Sequence, residues 1–298
     1  MSIFDKFKNM LSGSGGPQRL DVSARFELER HAFSGTMSKF RVAREISTNC
    51  RMGLKLLDAE KLQQFNDRFK GLKKPPEGEI GLSIRHPQVV ETFEYGKTTT
   101  GQDFILMEYV HGPGLSSVIN DATRREQVKP HRLKFIRQMC EGIQATHEAG
   151  FIHRDICPRN FIMHHDMEYV KLIDFGLSLP DEDEYKMPGN RTGTPQYMAP
   201  EIVRRRHTDS RVDLFALGVS CYRLLTSEHP WGSVDTTGLA ALVHDQKPHK
   251  DILELRPRLN RKLAKIINQC LAPKADDRPD SAEMILRFIR DVDFEEQE

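Results

Sequence analysis

The sequence lacks the features that mark secreted, disulfide-bonded or membrane-spanning proteins. Its five cysteines are odd in number, scattered, and never in a Cys-x-x-Cys pair, which argues against a disulfide framework and against a structural zinc site. The longest apolar runs are far too short to span a bilayer, and no charged start leads into an apolar run with a small-residue cleavage site. The formal net charge is only +1, so composition gives no reason to expect nucleic acid or an anionic membrane as the main partner. We therefore expect a soluble, cytoplasmic protein without a transmembrane segment.

The N-terminal residues differ from the rest of the chain. Residues 1–11 place apolar side chains at helical spacing, typical of a short amphipathic helix that docks on a partner or a membrane surface. A frayed extension is the alternative, and the one we favour, because so short a helix is marginal in water. Residues 12–18 (SGSGGPQ) have the composition of a flexible linker, so the folded region should begin near Leu20, after an extension of residues 1–19.

The hydrophobic pattern changes its period along the chain. Apolar residues alternate with charged ones through much of 24–109, which predicts strands, with one helical interruption at about 58–71. A helical period follows at 133–147. The stretch 212–225 is apolar nearly all round, so it should form a helix that is buried on every side.

The C-terminal end carries a capping signal and a charged tail. Asp280 and Glu283 resemble a capping pair at the start of a last helix. Residues 291–298 are acidic, and we expect this tail to be frayed.

The residues best suited to catalysis lie in the run from His153 to Asn160 (HRDICPRN), with Asp174-Phe175-Gly176 beginning fourteen residues later. A polar turn and a short apolar run between them predict a hairpin that ends in a carboxylate. Asp155 could accept a proton, while the Asn160 amide and the Asp174 carboxylate could hold a cation. Such hard oxygen ligands suit Mg²⁺ held between protein and phosphate.

These residues resemble the protein-kinase catalytic loop, H-R-D-L-x-x-x-N, and the D-F-G motif that follows it. Ala199-Pro200-Glu201 resembles A-P-E and closes a 28-residue segment from Asp174. One such motif occurs by chance, but their joint order is specific. The resemblance covers about 25–290 and implies an α+β, bilobal protein-kinase fold. It places a small antiparallel-sheet N-lobe at 20–110 and a larger, mainly helical C-lobe at 111–290.

The resemblance also implies the cofactors ATP and Mg²⁺ and a set of catalytic roles. Asp155 would accept the proton of the substrate hydroxyl, and Asn160 and Asp174 would be the metal ligands. Lys55, in the run Met52 to Lys55 that resembles V-A-I-K, would anchor the phosphates.

The carboxylate partner of that lysine is left open by the sequence. Counting back from His86-Pro87, which resembles the H-P after the kinase αC helix, points to Glu77, with Glu79 as the alternative. Pro75 and Pro76 lie just upstream, so the helix must begin at or after them.

The expected phosphate lid departs from the family pattern. The glycine and valine positions of G-x-G-x-x-G-x-V fall on Phe33, Gly35, Ser38 and Phe40, and Ala32 adjoins them. Only the middle glycine is present. Because glycine permits close approach of the backbone to phosphate, Phe33 and Ser38 predict weaker or differently shaped nucleotide contacts.

The adenine pocket is predicted from the strand 104–110 (FILMEYV), which resembles the strand that enters the kinase hinge. The resemblance makes Met107 the gatekeeper, places the backbone of Glu108 and Val110 against adenine, and makes Ile162 the floor. Gly53, which lies in the run that resembles V-A-I-K, is predicted to line the same pocket.

The catalytic loop departs from the family at one position. Serine/threonine kinases usually carry lysine two residues after the catalytic aspartate, and here that residue is Cys157. Arg159 lies where tyrosine kinases place an arginine with a similar task, so the cation is relocated rather than lost. We expect Cys157 to be an inert, packed thiol rather than a reactive one.

The run from Gly193 to Glu201 indicates the substrate class, because it resembles the G-T-P-x-Y-M-A-P-E of serine/threonine kinases. The resemblance implies that Thr194 hydrogen-bonds Asp155 and that Glu201 pairs with Arg278. It also implies that Asp213 braces the catalytic loop.

We therefore interpret the sequence as a eukaryotic-like (Hanks-type) serine/threonine protein kinase of bacterial type, acting on Ser and Thr of protein substrates. The alternative is a pseudokinase that serves as a binding or scaffold module. Phe33, Ser38 and Cys157 favour that alternative, and the intact catalytic and metal-binding positions oppose it. A kinase-fold enzyme for small molecules is disfavoured by the complete peptide-docking motif.

Overall fold

The N-terminal part of the chain is built on one antiparallel sheet. The computed structural model describes residues 19–34, 38–69, 71–187, 191–232 and 240–296. The sheet has the strand order β1-β2-β3-β5-β4. Its strands are β1 (Phe26–Ser34), β2 (Ser38–Glu45), β3 (Arg51–Leu57), β4 (Thr92–Lys97) and β5 (Asp103–Glu108). The alternating pattern of the sequence is thus confirmed as strands.

Three helices accompany this sheet: α1 (Val22–Arg25), α2 (Ala59–Asn66) and α3 (Glu77–Ser83). Helix α2 is the predicted interruption of the strands. Helix α3 begins directly after Pro76, as the two prolines require. It lies against β4, because a Cβ added to Gly78 would stand 2.3 Å from the Tyr95 side chain. Only glycine allows this close approach.

The C-terminal part is mainly helical. Its helices are α4 (Leu115–Asn120), α5 (Ala122–Val128), α6 (Arg132–Glu148), α7 (Pro200–Val203), α8 (Arg211–Thr226), α9 (Ile252–Leu255), α10 (Arg261–Cys270) and α11 (Ala282–Phe288). Helix α8 is buried on all sides, as its apolar sequence predicts, and Phe215 and Tyr222 are among its fully enclosed side chains. A small sheet and an α-helical region thus follow each other in the order of a bilobal α+β kinase fold.

Two short antiparallel pairs lie between α6 and α7. The strands are β6 (Phe151–Ile152), β7 (Phe161–Met163), β8 (Val170–Leu172) and β9 (Leu179–Pro180). Strand β6 pairs with β9, and β7 pairs with β8. The β7–β8 pair is the predicted hairpin, and it leads directly to Asp174.

Two expectations about the C-terminal end are wrong. The N-cap of α11 is Ser281, whose hydroxyl accepts a hydrogen bond from the amide of Met284 at 3.1 Å, rather than Asp280. The tail is anchored rather than frayed up to residue 296. Glu295 pairs with Arg132 and Arg256, each at 2.6 Å.

The start of the described chain is tied to the sheet. Leu20 is buried, its amide donates to the carbonyl of Lys97, and its own carbonyl accepts from the amide of Thr99, each at 2.9 Å. The predicted helix at 1–11 and the linker at 12–18 lie outside the described residues. No helix in the described part of the chain has the length and apolar character needed to cross a bilayer.

Candidate active site

The catalytic loop is positioned by one buried carboxylate from helix α8. Asp213 accepts the backbone N–H groups of His153 and Arg154, each at 2.8 Å. It also lies 2.8 Å from Nε2 of His147. Burial would raise the pKa of Asp213, but the hydrogen bond with His147 holds it below its ordinary value. The predicted brace of the catalytic loop is therefore present, and it fixes the backbone on the N-terminal side of Asp155.

Asp155 accepts hydrogen bonds on both carboxylate oxygens. Its Oδ1 accepts from the amide and the hydroxyl of Thr194 at 2.8 and 2.7 Å. Its Oδ2 accepts from the Asn160 amide at 3.0 Å. Burial raises the pKa of Asp155, and the bond from Thr194 opposes this effect. The group is thus oriented, and its basicity is greater than that of an exposed aspartate.

Lys55 lies between two carboxylates. Its Nζ is 2.5 Å from Oε1 of Glu77 and 2.9 Å from Oδ1 of Asp174. Glu79 instead faces the sheet, with Oε2 at 3.5 Å from the hydroxyl of Tyr95. The glutamate that contacts the lysine is therefore Glu77, the first residue of α3. The sequence left open whether Glu77 or Glu79 is the partner of Lys55. The orientation of the first turn of α3 decides this, because it points Glu77 toward the lysine.

Asn160 and Asp174 each provide one side-chain oxygen that is suitable as a ligand for a cation. Asn160 Nδ2 donates to the backbone oxygen of Asp155 at 2.8 Å, and its Oδ1 makes no hydrogen bond within the described residues. Asp174 Oδ1 faces Lys55, while the side chain remains 46% exposed. Burial would raise the pKa of Asp174, but the Lys55 ammonium lowers it below its ordinary value. An ionised carboxylate and a free amide oxygen fit the preference of Mg²⁺ for oxygen ligands.

Two residues predicted to line the nucleotide site, Phe40 and Gly53, depart together from the family pattern. A Cβ added to Gly53 would lie 2.7 Å from Cε2 of Phe40 and 3.1 Å from Cγ of Met107. The Phe40 ring therefore occupies space that the alanine of V-A-I-K would fill. A large residue on β2 is accommodated by the loss of a methyl group on β3.

The residues predicted for the hinge and the floor of the pocket lie on or next to the strands β5 and β7. Met107 pairs with Gly53 across β5 and β3. The amide of Glu108 donates to the carbonyl of Glu91 at 2.8 Å, so this amide is already occupied. Val110 follows the strand, and Ile162 lies on β7.

The lid is described only in part. Ala32 and Phe33 pair with Arg41 and Phe40 across β1 and β2, while Ser38 pairs with Leu57 across β2 and β3. Gly35, the remaining lid residue, lies outside the described residues.

Arg159 and Cys157 both follow Asp155 in the loop, but their surroundings differ. Arg159 Nη2 donates to the hydroxyl of Thr194 at 2.9 Å, and that hydroxyl in turn reaches Asp155. Cys157 is fully buried, and burial, together with the nearby Asp155 charge, raises the pKa of its thiol to about 11. The cysteine is thus packed, as predicted, and its inertness stays a prediction. The cation beside Asp155 is Arg159.

We name residues 194–201 the docking segment. Its C-terminal end is fixed by Arg278, which forms a bidentate ion pair with Glu201 at 2.6 and 2.8 Å. In its middle, Arg223 donates to the hydroxyl of Tyr197 at 2.6 Å. The contacts implied for Thr194 and Glu201 are both present.

Some residues of the site were missed by sequence reasoning. Lys171 pairs with Glu108 at 2.6 Å and so ties the β7–β8 hairpin to the hinge. It is the only charged residue of an otherwise apolar run, a signal that could have identified it. His229 and His244 contact the docking segment, and no spacing in the sequence marks them.

Most of the chain is similar to known proteins. A family model described as "Protein kinase domain" matches residues 26–287. Serine/threonine-protein kinase pkn3 of Myxococcus xanthus is 28% identical over 284 residues, which make up 92% of this chain and 51% of that protein. Serine/threonine-protein kinase Pkn1 of the same organism is 30% identical over 269 residues, 85% of this chain and 36% of that protein.

A human relative is similar to a comparable degree. The hormonally up-regulated neu tumor-associated kinase of Homo sapiens is 28% identical over 250 residues, covering 82% of this chain and 34% of that protein. The chain spans about half the length of these relatives or less.

Proposed function

This chain belongs to the protein kinase domain family, and we propose that it transfers the γ-phosphate of Mg-ATP to serine and threonine hydroxyls of proteins. The observation that carries the proposal is the convergence of Lys55, Asp155, Asn160 and Asp174. These residues come from three separate parts of the sequence. An ion pair joins Lys55 to Asp174, and a hydrogen bond joins Asn160 to Asp155.

The proposed roles follow from the charges and contacts. The Lys55 ammonium, held by Glu77, binds phosphate oxygens. Asn160 and Asp174 hold Mg²⁺, which when bound neutralises charge on the phosphates. Asp155 orients the acceptor hydroxyl and takes its proton, and its raised pKa makes it a better base than an exposed aspartate.

Arg159 is proposed to steady the transferred phosphoryl group. Its guanidinium donates a hydrogen bond to the hydroxyl of Thr194, and this hydroxyl in turn donates to Oδ1 of Asp155. A charge there lies beside the site at which negative charge would develop during transfer.

The proposed nucleotide contacts follow the same geometry. In the proposed base pocket, Gly53 and Phe40 line the roof, Met107 is the gatekeeper and Ile162 is the floor. The backbone of Glu108 and Val110 meets the base, and the lid of Ala32, Phe33, Gly35 and Ser38 covers the phosphates.

The proposed acceptors are protein hydroxyls because the docking segment is complete and held at both ends. The two Myxococcus relatives are named as serine/threonine kinases, which supports the same class here. We also propose a cytoplasmic location, which suits the free cysteines of the described chain.

The test is Mg-ATP-dependent phosphorylation of a basic protein acceptor, compared between the purified protein and an Asp155→Asn variant. Phosphoserine or phosphothreonine formed only by the unmodified protein is the expected result. Mg-ATP affinity is measured on both samples, and we expect it to be the same. Mg-ATP binding with no transfer to any acceptor, under all conditions tried, would instead favour the pseudokinase.

A further inference from the structure

Two histidines outside the kinase motifs contact the main chain of the docking segment. His229 Nε2 lies 2.9 Å from the carbonyl oxygen of Gln196, and His244 Nδ1 lies 2.8 Å from the carbonyl oxygen of Met198. A carbonyl oxygen only accepts hydrogen bonds, so each of these ring nitrogens must carry a hydrogen. The contacts therefore define one donor on each ring, at different ring positions.

The two rings are buried and neutral. His229 is 8% exposed and His244 is 1% exposed. Burial lowers the pKa of His229 to about 3, and the neighbouring His244 and Arg223 act in the same direction. Burial also lowers the pKa of His244. Near neutral pH, each ring is thus an uncharged hydrogen-bond donor.

Trp231 fixes the orientation of the histidines. Its ring centroid lies 4.2 Å from that of His244 and 6.0 Å from that of His229. The indole N–H donates to the carbonyl of Lys247 at 3.0 Å. The rings are tilted against each other by 31° and 45°, and contacts between aromatic rings restrict the ring positions, so the two donors are held toward the docking segment.

The two carbonyls lie on either side of Tyr197, between the ends of the segment that Asp155 and Arg278 hold. Loss of a donor to a buried carbonyl costs about 1–3 kcal/mol. The segment would shift to recover that hydrogen bond, and the surface offered to an acceptor peptide would shift with it.

We propose that His229 and His244 are positioning residues for the protein substrate, because they fix the backbone of the docking segment on both sides of Tyr197. This inference rests on the proposed kinase function. It adds two residues that affect the acceptor peptide through the docking segment. Among the described residues, neither histidine contacts a residue assigned to ATP or Mg²⁺, so we expect their effect to fall on peptide binding.

Asparagine and glutamine provide a matched pair of variants at each histidine. The amide nitrogen of glutamine can take the place of Nε2, and that of asparagine the place of Nδ1. His229→Gln and His244→Asn therefore keep the donor, whereas His229→Asn and His244→Gln misplace it. All four variants are neutral and polar, which minimises differences in folding within each pair.

The measurement is the KM for an acceptor peptide and the KM for ATP in each variant, with thermal melts alongside. Misplaced donors should raise the peptide KM about tenfold, the effect of losing one hydrogen bond of about 1.4 kcal/mol. The retained donors should stay within about threefold of the unmodified protein. The KM for ATP should change less than about twofold in all four.

Equal peptide KM values within both pairs would overturn the proposal, as would a parallel rise in the KM for ATP. Amide hydrogen exchange at residues 196–199, measured without substrate, gives a second readout that needs no turnover. Faster exchange in only the misplaced-donor variants is expected, and equal exchange within each pair refutes the positioning role. If the unmodified protein transfers no phosphate, the proposed function fails, while the exchange data still decide whether the histidines hold the segment.

Discussion

Gly53→Ala should weaken ATP binding because it removes the space that the Phe40 ring occupies. The added Cβ would lie 2.7 Å from Phe40 Cε2 and 3.1 Å from Met107 Cγ, whereas carbon atoms prefer a separation of about 3.5–4.0 Å. Relief of this clash requires the ring to move by about 1 Å. Overpacking of this kind costs about 1–3 kcal/mol. If the ring moves into the base pocket, the KM for ATP should rise about tenfold, equivalent to about 1.4 kcal/mol.

The reciprocal variant supplies the test of cause. Phe40→Val combined with Gly53→Ala restores a small β2 residue and a methyl group on β3, so we expect a KM for ATP within about threefold of the unmodified protein. Gly96→Ala is the control within the same sheet. Among the described residues, its added Cβ would meet only Phe104, at 3.5 Å, which is an ordinary contact.

The assay is initial velocity against ATP concentration at saturating peptide, with calorimetric ATP binding as a readout that is independent of turnover. A Gly53→Ala variant whose KM and Kd for ATP stay within about twofold of the unmodified protein would refute the reasoning. A double variant that binds ATP no better than Gly53→Ala alone would also refute it, because the two residues would then act separately.

Three further predictions concern stability and reactivity. Asp213→Asn should lower the free energy of unfolding by about 2–3 kcal/mol at pH 7, measured by urea denaturation, because the buried N–H donors of the catalytic loop lose an ionised acceptor. The pKa of Asp213 is lowered in the folded state, so the stabilisation by its carboxylate is complete above the unfolded pKa of about 4 and is lost as the pH falls below it. The difference in unfolding free energy between Asp213→Asn and the unmodified protein should therefore narrow toward pH 3. A difference that stays constant with pH would contradict the ionised carboxylate as its cause. Glu295→Ala should cost about 2 kcal/mol through the loss of two partly buried ion pairs, whereas the exposed control Asp293→Ala should stay within about 0.5 kcal/mol; equal urea midpoints for the two would show that the tail is not anchored by Glu295. In thiol labelling of the folded protein, Cys50 should react well before Cys157, whose pKa is raised to about 11 by burial, and equal rates would mean that the loop opens.

The identity of the site residues could be predicted from sequence because the motifs place them at fixed spacings. Asp155 and Asn160 lie five residues apart on one tight loop, and local geometry alone brings them together. Helix α8 could be predicted as buried because its lack of a polar face leaves no side for solvent. The catalytic roles of these residues stay predictions until activity is measured.

Where one residue had to be chosen over a neighbour, the sequence was less reliable. Asp280 and Ser281 are both good N-cap residues, and which of them caps α11 depends on where the chain turns into the helix. The tail at residues 291–298 was expected to be frayed because it is acidic and terminal. The partners of Glu295, Arg132 and Arg256, are brought to it by the packing of distant helices.

The sequence by itself determined the family and the order of strands and helices, and it supplied the residues that we propose for catalysis and metal binding, because these depend on short spacings and local periodicity. Only the tertiary structure decided that Glu77 rather than Glu79 reaches Lys55, that Phe40 lies over Gly53, and that two histidines hold the docking segment. Each of these contacts joins residues at least 13 positions apart. The physical reason is that such contacts follow from how separate elements pack, and no local pattern of residues records the direction in which a side chain meets a distant one.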